Sequence, residues 1–368
     1  MQLFCNFFVG IVLNLTNNVY LCGNQNRKQS NHAMNKNFTY NDMINQMVHQ
    51  KMYGEVQMCV RKLSYELFKR KAREHQVQFR EDELGVGFYK YPNVLRKDDA
   101  DKGLIFFEGF RQEIMDELKK PVAPTSTAPS GQMLTNLLRS EHIPYNIFFP
   151  MKKDLEGCKN LFNLILGKDD IQSIRDIWIE YHPEPIEEYL DDHTAFDVYI
   201  PYLNTAGQPC GIGIEVKYTE KAYPLKSGSR EESHVKDDKG NTRLSEAYAR
   251  ATEKSGYYRD DVTPDILISN KFRQIWRNHI LGASMILHSD IVHFTSITLY
   301  PQENIHFSMS AMPEYKKLLR DEQSHTCVPL SYENLFDWMN RHLHLDQKDE
   351  WISYLKRRYL FFYFSHLF

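Results

Sequence analysis

The stretch FDVYIPYLNTAGQPCGIGIEVKYTE, residues 196–220, decides how this chain folds. Two runs rich in β-branched and aromatic residues flank the turn-forming NTAGQP, and together they read as a β-hairpin. Side chains alternate between the two faces of a strand. Ile212, Ile214 and Val216 therefore point one way, into a core, while Gly211, Gly213, Glu215 and Lys217 point the other. The two glycines should leave that second face open. On the first strand, Asp197 is opposite in polarity to Phe196, Val198 and Ile200. A hairpin register that buries both apolar sets on one side puts Asp197 on the face of Glu215 and Lys217.

Working outward, IRDIWIEYH (174–182) alternates in the manner of a strand. Before it lie a helix around 157–166, the aromatic segment YNIFFP (145–150), and a helix GQMLTNLLRSEHI (131–143) stopped by Pro144. PVAPTSTAPSG (121–131) breaks the helical pattern. It reads as a linker between a helical N-terminal region, 34–120, and a main domain, 132–325. Residues 40–75 form one amphipathic helix or a pair broken near Gly54, and 104–120 form another. The basic residues Lys62, Lys69, Arg70, Lys71 and Arg73 face either a phosphate backbone or solvent. After the hairpin comes a polar, charge-balanced insertion, 219–265, with one helix at 244–258. It is longer than a structureless loop usually is, which marks a lid or a mobile region. Its lysines and arginines, Lys221 first among them, either clamp a nucleic-acid backbone or are solvated. KFRQIWRNHILGASMILH (271–288) then reads as a helix, DIVHFTSITLYP (290–301) as a strand, and 326–368 as a helical tail.

Two carboxylates and a lysine on one strand face suit phosphodiester hydrolysis. Mg²⁺ prefers oxygen ligands and keeps several waters, so one or two carboxylates plus a substrate phosphate hold it. The metal polarises the phosphoryl oxygen and helps generate hydroxide at neutral pH. A lysine beside it orients the attacking water and offsets developing negative charge. The E-x-K spacing alone carries little, since it also occurs at Glu117 and Glu314. Only the instance at Glu215 sits in a clean strand with an Asp 18 residues upstream. The bland alternative is an exposed Glu–Lys pair on a sheet face.

With YNIFFP, WIEYHPEP (178–185) and QIWRNHILGASM (274–285), the hairpin resembles the PD-(D/E)XK nuclease superfamily, and within it a branch of bacterial restriction endonucleases. The likeness covers roughly residues 135–320, with Phe196 where the family pattern carries a proline. It implies an α/β, restriction-endonuclease-like core, a mixed central sheet flanked by helices, with the helical N-terminal region appended. It further implies Asp197 and Glu215 as ligands of Mg²⁺, with Mn²⁺ able to substitute, and Lys217 as the catalytic lysine. Glu180 would be a further acidic ligand or a solvated strand-end carboxylate. Gln274 would lie near the attacking water and Arg277 and His279 near substrate, unless their helix merely packs on the sheet. The function implied is Mg²⁺-dependent DNA cleavage of restriction type in the cytoplasm, with a cognate DNA methyltransferase as partner and a homodimer to cut both strands. A catalytically inactive nuclease fold that binds nucleic acid or protein is the main alternative. A glycosidase-like acid/base pair is a weaker one, because Lys217 would hold both carboxylates ionised.

Composition sets wide bounds. A net charge of −3 argues against a protein that coats nucleic acid non-specifically, but leaves room for a locally basic cleft. Six scattered cysteines without a CxxC pair argue against zinc ribbons and disulfide frameworks and fit a reducing compartment. Residues 3–15 are an apolar run too short for a comfortable membrane span, with no Lys or Arg before it. Residues 1–33 thus read as an extension preceding a start at Met34, as a signal-like segment, or as a structural element.

Overall fold

The computed structural model describes residues 65–126, 130–221 and 224–361. The readings made on residues 1–33 and on the 40–64 part of the expected N-terminal helix lie outside the described residues. Cys59–Phe368 form one compact unit. Its centre is a six-stranded mixed sheet: β1 (Ile171–Ile174), β2 (Trp178–Tyr181), β3 (Phe196–Asn204), β4 (Pro209–Val216), β5 (His293–Tyr300) and β6 (Cys327–Ser331). Both β1 and β2 pair antiparallel with β3, on successive stretches of one edge; β3 and β4 form the expected hairpin. β5 joins β4 in parallel, and β6 joins β5 in parallel. The longer helices among the described residues are α1 (residues 65–79), α2 (Glu108–Leu118), α3 (Ile143–Met151), α4 (Leu155–Leu166), α5 (Glu246–Lys254), α6 (Arg273–Leu287), α7 (Tyr332–His342) and α8 (Lys348–Tyr359). A mixed sheet covered by helices on both faces is the architecture the sequence implied.

The hairpin register pairs Val198 with Ile214 and Ile200 with Ile212. Those four side chains are fully buried in one core with α2, α3, α4, α7 and α8. The opposite face packs under α6, around Trp276, Ile280, Tyr199 and Phe294. That face is not open as expected. A Cβ on Gly213 would lie 2.5 Å from the Phe196 ring and 2.8 Å from Phe294, and one on Gly211 would meet the Tyr199 ring. The glycines make room for aromatic rings. Phe196 crosses to this side despite its parity with Val198, joining Tyr199 in a stack with centroids 5.5 Å apart.

Three further expectations are corrected. Pro144 begins α3 instead of ending a helix: proline at a first helical position has no N–H to lose and a preset φ. The preceding 131–142 are turns rather than a helix. The described part of the expected linker is tied to β2, through the Ser126–Tyr181 bridge and a 2.9 Å bond from the His182 N–H to the Thr125 carbonyl. The C-terminal tail is helical as expected, in α7 and α8, after the unexpected strand β6, and its Trp351, Leu355 and Tyr359 are fully buried in the main core. The 219–265 insertion is likewise built: a short helix Arg230–Val235, a bridge between Lys236 and Thr242, and α5, with Val235 and Tyr248 buried against α6.

Candidate active site

Strand pairing alone assembles the acidic residues. Val198 faces Ile214, so the next residues outward, Asp197 and Glu215, face each other across β3 and β4. On the other side of β3, Ile179 faces Val198 and Tyr181 faces Phe196, which sets Glu180 opposite Asp197. Glu180, Asp197 and Glu215 thus form a row across three strands. Glu180 has φ +57°, a left-handed conformation uncommon for a residue with a Cβ. Such conformations persist where surrounding structure enforces them, and they gather at functional sites.

Lys217 follows β4 directly and its ammonium donates to Glu215 Oε1. Both residues are buried, at 3% and 8% exposure. The other oxygen of Glu215 accepts from Asn278 Nδ2 on α6, and Asp197 Oδ2 accepts the Val216 N–H at 2.6 Å. The backbone after Lys217 is held on several sides. Its N–H donates to the Leu299 carbonyl at 2.8 Å, and its carbonyl accepts from the Tyr332 hydroxyl at 2.9 Å. Asn304 Nδ2 donates to the carbonyls of Tyr218 and Glu220, and the Tyr65 hydroxyl to that of Thr219. Strand β5, α7, α1 and the loop after β5 therefore fix where the lysine stands.

Crowding of acids governs the electrostatics. Burial, then the Glu215 and Glu141 charges, push Glu180 up to about 8, with Lys217 opposing. Burial, then Glu215 and Glu180, raise Asp197 well above the usual carboxylate range, against Lys217 and the Val216 N–H. Among the described residues no three Asp, Glu, His or Cys side chains converge into a ready-made metal cage. One Asp197 oxygen and both Glu215 oxygens are engaged in the bonds just given. In kind, the donor set still fits a hard divalent cation. When all three carboxyl groups are ionised, their charge exceeds that of the one lysine and a divalent cation would offset it; Mg²⁺ needs few protein oxygens because it keeps its waters. Asp197 and Glu215, with Glu180 beside them, are the residues that could hold it. A cavity of about 270 Å³ lies elsewhere, lined by Ile179, Tyr145, Phe149, Lys120 and Lys152 among others and by none of the row's carboxyl groups.

The remaining candidates divide. Gln274 is half-buried one helical turn before Asn278, on the side of α6 nearest the carboxylates. Lys221 is exposed beyond the end of β4, its ammonium 5.0 Å from the Tyr65 ring centroid. Arg277 does not join the site: it is committed to Asp192 at 2.7 Å and Glu231 at 3.2 Å, and also donates to the Tyr248 and Thr194 hydroxyls. His279 does not join it either. Fully buried, it stacks on Tyr257 at 4.2 Å and bonds Thr326 Oγ1 at 2.9 Å, because its position on α6 points into the second core. Asn278 was not singled out from sequence. The available signal was an asparagine, a poor helix former, four residues after Gln274 and so on the same face of the helix. The other two E-x-K instances are surface pairs, Glu117 with Lys120 and Glu314 with Lys271.

No curated protein and no solved structure matches this sequence. The family model of the PD-(D/E)XK nuclease superfamily matches residues 64–361, from α1 through α8, and so encloses the sheet, the acidic row and Lys217. With an Asp, a Glu and a Lys brought together at the hairpin, the chain belongs to the PD-(D/E)XK nuclease superfamily.

Proposed function

We propose that this protein is a Mg²⁺-dependent endonuclease that hydrolyses phosphodiester bonds in DNA. The observation that carries the reading is the row Glu180–Asp197–Glu215 with Lys217 bonded to its end. A divalent metal, when bound, polarises the scissile phosphoryl group and makes water a better nucleophile at neutral pH. Lys217 supplies a fixed positive charge where negative charge develops on the phosphoryl oxygens, and its N–H groups orient the attacking water. Asn278 keeps Glu215 turned towards the row, and Gln274 lies on the same stretch of α6 to steady that water. Lys221 is placed to meet a flanking phosphate.

The test uses purified protein with Mg²⁺ or Mn²⁺ and supercoiled or linear DNA, alongside RNA. Wild type should cut DNA, EDTA should stop it, and Asp197→Ala and Lys217→Ala should not cut. Wild type that cuts nothing, or variants that cut equally well, would defeat the proposal; metal-independent DNA binding without cleavage would support the binding-module alternative.

Restriction-type defence in the cytoplasm is the biological role we assign, on the likeness of the hairpin and the QIWRNH helix to restriction endonucleases. It predicts a neighbouring DNA methyltransferase gene and DNA that resists cutting once methylated by that enzyme. It also predicts a homodimer by light scattering when both strands are cut. Among the described residues no helix is long and apolar enough to cross a membrane.

A further inference from the structure

Three of the most exposed aromatic side chains among the described residues share one small hairpin. Phe88, Tyr89 and Tyr91 are 46%, 67% and 55% exposed, and Lys90 between the tyrosines has φ +60°. Phe88 bridges to Leu95, and the Tyr89 N–H donates to the Val94 carbonyl at 2.8 Å, so the tip projects from a closed ladder. Single exposed apolar residues are ordinary, but rings clustered at a projecting tip mark an interaction surface.

The hairpin is fixed relative to the catalytic strand. The Leu95 N–H donates to the Thr135 carbonyl at 2.8 Å, the Leu137 N–H to the Asn93 carbonyl at 3.0 Å, and Asn93 Nδ2 to Asn136 Oδ1 at 2.9 Å. The same segment reaches the residues just after Lys217. Thr219 Oγ1 donates to the Leu138 carbonyl at 3.4 Å, and the Ser140 N–H to Glu220 Oε1 at 3.1 Å. One short stretch, 135–140, therefore connects the aromatic tip to the end of β4. Cations accompany the rings: the Arg80 guanidinium lies 5.2 Å from the Phe88 centroid and the Lys90 ammonium 5.4 Å from that of Tyr91. Two acids of the preceding turn are already paired, Glu81 with Arg80 and Glu83 with Arg357.

We propose that residues 88–91 are a base-stacking contact for the DNA substrate, in which Tyr89 and Tyr91 stack on unpaired bases at a strand end or an opened step and Lys90 meets the adjoining phosphate. Every base offers a π-face, so such a contact grips without reading sequence. The inference rests on the reading of this chain as acting on DNA.

The experiment measures binding of the full chain to fluorescein-labelled single-stranded DNA, and quenching of an oligonucleotide carrying 2-aminopurine, in EDTA and in Ca²⁺. Wild type should bind and quench. Tyr89→Ala and Tyr91→Ala should each weaken binding about fivefold or more, the usual cost of losing one stacked ring, and should lose quenching. Tyr89→Phe and Tyr91→Phe should retain both, with melting temperatures unchanged throughout. Alanine variants that bind and quench like wild type overturn the assignment. So does a wild type that binds no DNA, or an alanine variant whose only change is from dimer to monomer. Binding and quenching without any cutting in Mg²⁺ would defeat the nuclease reading and leave this one standing; cutting without quenching would do the reverse.

Discussion

At the scale of single residues, the site depends on side chains that touch no substrate. Asn278 is buried and bonded to Glu215, the carboxylate that also holds Lys217. Residues that orient a metal ligand typically cost about 10–100-fold in activity or metal affinity when removed. Asn278→Ala should therefore lower cleavage by about that factor while circular dichroism stays native. His279, by contrast, is a structural residue with a pH signature. Burial lowers it from its ordinary 6.5 to about 3, so it stays neutral in the fold. Between those values the unfolded chain binds a proton that the folded chain does not. Its contribution to stability is full above about pH 6.5 and is lost as pH falls towards 3. Denaturant melts at pH 7 and pH 5 should show wild type weakening, in part through His75 and His306, which burial also lowers. His279→Gln should flatten that slope without changing the pH 7 cleavage mechanism.

At the scale of elements, β4 works because its glycines admit three rings from the strands on either side, Phe196 and Tyr199 of β3 and Phe294 of β5. Gly213 has no space for a Cβ between Phe196 and Phe294. Gly213→Ala should destabilise the fold by about 1–3 kcal/mol, as overpacked cores do, and should loosen the strand that presents Glu215. A melting temperature equal to wild type would count against this account of the glycine face. The hairpin was legible because Ile212, Ile214 and Val216 alternate with Glu215 and Lys217 on a period of two. The closed glycine face was not, since the rings that fill it come from β5 and from a Phe196 that departs from its strand's alternation.

At the scale of the whole molecule, the first and last described helices are part of one core. Arg358 on α8 is fully buried, donates to Gln76 of α1, and Gln76 donates to the Tyr218 hydroxyl at 2.7 Å. The residue after Lys217 is thus joined to both α1 and α8. Removing residues 327–368 would take away β6 and expose Ile297 and Leu299, which are fully buried. Each large apolar side chain so exposed forfeits about 1.5–3 kcal/mol, several times over, against a typical domain stability of about 5–15 kcal/mol. The truncated chain should be insoluble or lack a cooperative melt; a soluble, cooperatively folding fragment would show the end of the chain to be dispensable.

The sequence by itself determined the hairpin, the face shared by Glu215 and Lys217, and the helix and strand that follow. These rest on alternation and periodicity, which are local and repeat every two or three to four residues. The row that includes Glu180, the bond from Asn278, and the diversion of Arg277 and His279 into packing were decided only by the tertiary structure. The physical reason is that each depends on which residues lie across a gap of tens of positions: Glu180 meets Asp197 only through β2–β3 pairing, and Asn278 meets Glu215 only when α6 crosses the sheet. Polar residues on a buried helix take the partners that the packing brings, and no spacing within the helix reveals whether that partner is a carboxylate of the acidic row or a core hydroxyl.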